Sequence, residues 1–239
     1  MRVAVVSDIH GNVRGLDACL NDLEAQGGAD RVVAAGDLVA QGPWPREVLE
    51  RLREVGAACI TGNTDRYIVE NAADDGDVES LRWLRERLGD DWVRWLAALP
   101  FSIALGDGED GLLIVHATPR GDDEHLWPDA ADDQLERALA GVVQRTIAFG
   151  HLHLPYARLW RDRLLVNVAS AGLPKDGDPR ASYAILTQRS GGWEVKHRRV
   201  PFDVDEVASA IVSSGMPRAE ERVAILLRHR YPQFGAYIP

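Results

Sequence analysis

The sequence predicts an α/β fold with a largely parallel sheet in its first half. Two patterns carry this: short β-branched or apolar runs alternate there with longer amphipathic stretches, and the second half changes to closely spaced strand signals separated by turn residues. A chain of 239 residues, 46% apolar and 27% charged, can bury a sizeable core, which excludes disordered, collagen-like and disulfide-knot readings.

Val3–Ser7, Arg31–Ala35 and Ala57–Thr61 read as buried strands. Between them Leu16, Leu20 and Leu23 recur at helical spacing with Asn12 placed to cap, and Val48, Leu49 and Leu52 form a similar stripe after Pro45. This βαβαβ order implies parallel pairing. A helical insertion over residues 66–98 follows, its main helix running from Val78 to Ala98 with Leu81, Leu84, Leu88 and Trp92 on one face and Gly89 as a point of breakage. Strands are then expected at Leu112–Val115, Thr146–Phe149, Tyr156–Trp160, Leu164–Val168, Ser182–Thr187 and Trp193–Val200, several of them antiparallel. A helical tail over 203–231 covers Asp205–Ser213 and Arg218–Arg230. No linker-like stretch separates the halves, so one two-sheet domain over residues 1–239 is expected.

Acidic residues outnumber basic ones by 37 to 27, a net charge of -10 that argues against sequence-independent nucleic-acid binding. Cys19 and Cys59 lie in apolar stretches and read as buried thiols in a reducing compartment. The first residues lack a signal-peptide pattern and no apolar run approaches the ~20 residues that cross a bilayer, so a cytoplasmic protein without membrane contact is expected.

The chemistry lies where the strands end. The first run ends at Asp8 and His10, the second at Gly36 and Asp37, the third at Gly62 and Asn63; later runs end at His116 and at Gly150, His151 and His153. In open α/β sheets ligands bind outside the carboxyl ends of the strands, so corners distant in sequence can converge. Two carboxylates, four imidazoles and an amide oxygen are too many for one tetrahedral zinc, but serve two ions if Asp37 bridges them. A lone histidine at a strand end is usually hydrogen-bonded or solvated; the ordered set is what points to metal.

These stretches, Ser-Asp-Ile-His-Gly-Asn from Ser7, Ala-Gly-Asp-Leu from Ala35, Thr-Gly-Asn-Thr-Asp from Thr61, Val-His at 115 and 116 and Phe-Gly-His-Leu-His from Phe149, resemble the calcineurin-like metallophosphoesterase superfamily, in its small bacterial and archaeal phosphodiesterase branch. Val-Asn-Val-Ala-Ser-Ala-Gly-Leu-Pro from Val166 and Asp-Gly-Asp-Pro-Arg-Ala-Ser-Tyr from Asp176 resemble it too. The resemblance implies a four-layer αββα sandwich of two mixed sheets flanked by helices. It further implies one ion on Asp8, His10, Asp37 and His153, and a second on Asp37, Asn63, His116 and His151. Manganese, iron or zinc would suit such ligands, manganese being favoured.

Two divalent ions ~3.5 to 4 Å apart can hold a hydroxide at neutral pH and aim it at phosphorus. Against two ligating carboxylates they leave a local charge of about +2, which draws phosphate in despite the acidic surface. Asp37, Asn63 and Asp65 are the catalytic candidates, with Asp65 orienting Asn63 or a water; a helix N-cap accounts for Asp65 equally well. Asn12, Asn63 and Arg66 are the candidate substrate contacts. Most members of the superfamily carry His after the Asn of the third motif, whereas this chain has Thr64, a poor acid. Esters whose leaving group needs little protonation are therefore expected: aryl phosphodiesters, phosphoanhydrides or dinucleoside polyphosphates. His125 reads as a surface residue in an acidic loop, and His197 and His229 are assigned no chemistry. Trp83, Trp92 and Trp95 are expected to pack within the insertion, and Trp44 and Trp127 in the core or rim rather than against a nucleobase. The apolar helices of insertion and tail could form a lid or a homodimer face. The rival readings are a phosphomonoesterase or protein phosphatase, and a metal-binding scaffold on the same fold.

Overall fold

The computed structural model describes residues 1–72 and 76–229. The first sheet combines β1 (Arg2–Val6), β2 (Arg31–Ala35), β3 (Ala58–Ile60), β9 (Ala181–Arg189) and β10 (Gly192–Val200) in the order β10-β9-β1-β2-β3. β1, β2 and β3 are parallel, joined by α1 (Val13–Ala25) and α2 (Pro45–Glu54), while β9 returns antiparallel along β1. The second sheet has the order β4-β5-β6-β8-β7, from β4 (Ser102–Leu105), β5 (Leu112–Val115), β6 (Thr146–Phe149), β7 (Tyr156–Trp160) and β8 (Arg163–Asn167). Both sheets are mixed.

Strand alternation sorts the apolar side chains into layers. Val3, Val5, Val33 and Ala35 face the other sheet and meet Leu112, Ile114, Ala148 and Val166. Their neighbours Ala4, Val6 and Ala34 face α1, α2 and α4 (Val78–Ala97). On the far side Val115, Ile147, Phe149 and Leu165 pack on Leu135 and Ala138 of α5 (Asp132–Ala138). The result is the expected helix–sheet–sheet–helix sandwich. A smaller cluster of Leu173, Val207, Ile211, Met216 and Leu226 seats α6 (Val204–Ser213) and α7 (Ala219–Arg228).

Several boundaries differ from expectation. The insertion opens with a separate helix, α3 (Asn63–Glu70), so Asn63 starts a helix directly after β3. Gly89 takes φ 73° and ψ 165°, which kinks α4. β4 and α5 escape the sequence reading because each is short: β4 has no buried residue and α5 presents only Leu135 and Ala138 to the core. Residues 73–75 of the insertion and 230–231 of the tail lie outside the described residues. Cys19 and Cys59 are buried free thiols. Among the described residues no helix is long and apolar enough to cross a membrane.

The N-terminus of α1 is pressed onto the segment after β8. A Cβ on Gly15 would stand 2.0 Å from the carbonyl oxygen of Ala171. Helix propensity alone would favour Gly15→Ala by about 1 kcal/mol, but the overlap falls on backbone and overpacking costs about 1–3 kcal/mol. Gly15→Ala is expected to lower the urea midpoint; a raised midpoint would show that this contact does not constrain the helix.

Candidate metal centre

Each ligand candidate leaves its strand through a sharp turn. Asp8, His10, Asp37, His151 and His153 all have φ between 49° and 66°, the left-handed region that non-glycine residues rarely occupy. These turns send side chains from both sheets to one point. Nε2 of His153 lies 3.1 Å from Oδ1 of Asp8 and 3.2 Å from Nε2 of His10. Nε2 of His10 lies 3.6 Å from Oδ2 of Asp37, whose Oδ1 is 3.4 Å from Nε2 of His116. Asn63 Oδ1 lies 3.1 Å from the same His116 nitrogen, and the rings of His116 and His151 are centred 5.2 Å apart. All seven residues expected as ligands are brought together, with Asp37 directing one oxygen to each half.

Main-chain carbonyls set the imidazoles. Nδ1 of His10 faces the carbonyl of Ala40 at 3.2 Å and Nδ1 of His116 that of Ala35 at 2.8 Å, while Nδ1 of His153 bonds the carbonyl of Leu173. A carbonyl only accepts, so each Nδ1 donates, and a ring in its neutral form presents a lone pair at Nε2. The two Nε2 atoms of His10 and His153 then oppose acceptor to acceptor, as do Asn63 Oδ1 and His116 Nε2. A cation between them turns that repulsion into ligation. Asp8 Oδ1 and His151 Nε2 are buried and accept no hydrogen bond, which fits the same purpose. Two triads, Asp8/His10/His153 and Asp8/Asp37/His116, each place three donor atoms within 4.8 Å of one another.

Electrostatics act differently on the imidazoles: against its burial, Asp37 and Asp8 hold His116 above the usual range, whereas two others are lowered. Burial lowers His10 to about 3, outweighing Asp37; burial with His116 nearby lowers His151 to about 4. Burial alone would raise Asp8 and Asp37, but the surrounding imidazoles, His153 for Asp8 and His116 for Asp37 foremost, hold both below the usual carboxylate range.

Asp65 is fully buried and caps the first turn of α3, as the N-cap reading expects, through the N–H of Gly62. It accepts from Leu38 N at 3.0 Å and Gly62 N at 3.1 Å, clamping the Asp37 loop to the Asn63 loop, and burial beside Asp37 pushes it up to about 7. The loops are in contact: a Cβ on Gly62 would stand 2.3 Å from Oδ1 of Asp37.

Two expected substrate contacts are otherwise engaged, which corrects that reading. Asn12 is buried, its Oδ1 capping α1 at Gly15 N (3.0 Å) and its Nδ2 donating to Gly172 O (2.8 Å). Arg66 forks onto Asp122 at 2.8 and 3.0 Å, fastening α3 to the loop after His116. His125, read as an ordinary surface histidine, instead stands beside the centre: its ring is 4.7 Å from that of His151 and stacks on Trp127 at 5.5 Å. Trp44 packs in the α6–α7 cluster under the Arg14 guanidinium. His197 bonds the carbonyl of Asn167 at 2.8 Å.

The Val166 stretch holds the ligand loops. Asn167 Nδ2 bonds the carbonyl of Gly150, and Ser170 Oγ donates to the carbonyl of Asp8 at 2.7 Å. Sequence reasoning quoted this stretch without finding these roles; two polar residues at the end of an apolar strand were the only signal.

The chain belongs to the calcineurin-like phosphoesterase superfamily, whose domain profile matches residues 1–191. The crystal structure of a metallophosphoesterase from Sphaerobacter thermophilus superposes with a TM-score of 0.76 at 26% identity, over 96% of this chain and all of that one. Phosphodiesterase YfcE of Escherichia coli is 26% identical over 196 residues, 78% of this chain and 87% of its own length. The symmetrical bis(5'-nucleosyl)-tetraphosphatase of Azotobacter vinelandii is 30% identical over 126 residues, 49% of this chain and 44% of its own. The chain is thus a phosphoesterase of a metal-binding family.

Asp65→Ala strands two buried N–H groups, at about 1–3 kcal/mol each, and is expected to weaken metal binding about 10- to 100-fold, measured by metal titration of folded protein; unchanged affinity would show that the clamp is dispensable. Manganese at a hundred times its Kd is expected to raise stability by about 2.7 kcal/mol, read as a thermal shift that Asp37→Asn largely removes; an equal shift in that variant would refute the bridging place of Asp37.

Proposed function

We propose that this protein is a dimetal phosphodiesterase that hydrolyses a small phosphodiester or phosphoanhydride of nucleotide type. The convergence of imidazole Nε2 atoms on the oxygens of Asp8 and Asp37 is the observation that carries the reading, since a divalent pair is the group that such a donor set accommodates. Asp8, His10, Asp37 and His153 would hold one ion and Asp37, Asn63, His116 and His151 the other, with manganese favoured. Bound there, the ions supply Lewis acidity toward phosphoryl oxygens and activated water.

The chain's own groups do the rest. The carbonyls of Ala35, Ala40 and Leu173 keep the imidazoles in the ligating tautomer. Asp65 holds the Asp37 and Asn63 loops in register, a positioning role. Thr64 offers a hydroxyl where a leaving oxygen would need a proton, which favours leaving groups that depart as stable anions. The names of YfcE and of the tetraphosphatase agree with diesters and anhydrides as substrates. A cytoplasmic location, a small phosphate ester as substrate, no stable nucleic-acid or membrane partner and a homodimer as an open alternative belong to the same proposal.

With manganese added, bis(p-nitrophenyl) phosphate is expected to turn over at least tenfold faster than p-nitrophenyl phosphate, read as nitrophenolate release. Faster monoester cleavage would replace this proposal with the phosphomonoesterase reading, and activity retained in Asp37→Asn would exclude the bridged centre.

A further inference from the structure

A cleft of about 210 Å³ lies between α3, the start of α4 and α7. Its wall includes Ala40, whose carbonyl orients His10, and Thr64, whose N–H donates to Asp37 Oδ1 at 3.0 Å. A narrower void of about 10 Å³ shares Gln41, Arg222 and Ile225 with the cleft and reaches His10. The cleft therefore adjoins the metal centre through shared walls. Thr64 is only 7% exposed, and its hydroxyl has no hydrogen-bond partner among the described residues.

The lining is amphipathic. Tyr67, Trp83 and Leu84 supply aromatic and apolar surface. Asp77 and Ser80 supply polar groups, held in place by Arg222 at 3.1 and 2.9 Å. An acyl chain would leave Thr64 Oγ1 unmatched and lie against the ion-paired Asp77, Arg218 and Arg222, and a sugar would waste the aromatic wall. A flat heterocycle with polar edges matches both. The volume falls below the ~300 Å³ at which drug-sized pockets begin, so it accepts one ring system rather than a whole dinucleotide.

We propose that this cleft receives the base of a nucleoside-type substrate, one ring system at a time, while the phosphate sits at the metal centre. The proposal rests on the phosphoesterase reading for the phosphate end only.

Ala72, exposed and at the rim of the cleft, can be replaced by tryptophan without removing a core contact. Calorimetric titration of metal-free protein with adenosine, which carries no phosphate, is expected to show saturable binding that Ala72→Trp weakens about tenfold, with ribose and inorganic phosphate giving none. Tyr67→Leu, which keeps apolar volume but loses the ring, is expected to act in the same direction and covers the case in which the tryptophan variant fails to fold. In manganese-loaded enzyme the ratio of KM for a dinucleoside polyphosphate to KM for bis(p-nitrophenyl) phosphate is expected to rise about tenfold in either variant. No adenosine binding by the parent protein, or equal binding by parent and variants, would overturn the proposal. If the loaded enzyme cleaves neither ester the phosphoesterase reading fails, while the adenosine titration still judges the cleft.

Discussion

The structure depends on holding ligand residues in a backbone conformation that they would not choose. Five of the seven ligand candidates sit at positive φ directly after a strand, at a cost of about 1–3 kcal/mol each where the side chain is not glycine. Such strain persists only where the surroundings over-determine it. Here the parallel ladder of β1, β2 and β3 fixes one set of strand ends and that of β5, β6 and β8 the other. Bonds between turns finish the work: Asp8 N and His10 N donate to the carbonyls of Gly36 and Asp37, and His151 N donates to Oδ2 of Asp8.

Burial supplies the second constraint. Three carboxylates, Asp8, Asp37 and Asp65, lie almost wholly out of solvent in adjoining loops. Charges so close cannot all persist cheaply in a region of low dielectric. The protein divides them: the imidazoles around Asp8 and Asp37 hold both below the usual range, whereas burial and the neighbouring Asp37 push Asp65 up against the pull of the backbone N–H groups it accepts from. Side chains of one chemical type thus serve as ligands and as a clamp through their neighbours alone.

Much of this was legible in the sequence because it resides in residue types and their period. Val3–Ser7, Arg31–Ala35 and Thr146–Phe149 alternate between two buried faces, and an Asp or His at once or one glycine after each marks a strand end with chemistry. The carbonyls of Ala35, Ala40 and Leu173 were not legible, since any residue carries one. Asn12 and Arg66 misled because a phosphate-binding side chain and a helix cap or ion-pair fork have the same composition; only their partners, Gly172 and Asp122, separate the roles. His125 is exposed, as its acidic loop predicts; that its ring also stands beside His151 follows from the path of the loop, which composition does not show.

The order in which the parts of the centre occur along the chain bears on its assembly. Asp8 and Ser170 are 162 positions apart, yet the carbonyl of Asp8 is held by Ser170 Oγ and Gly172 N, the ring of His153 is aimed by Leu173, and β1 takes β9 as its neighbour. Pairings so distant along the polypeptide close slowly. The cluster therefore cannot be completed from the first half of the chain alone: the carbonyl of Asp8 waits for Ser170, in the second.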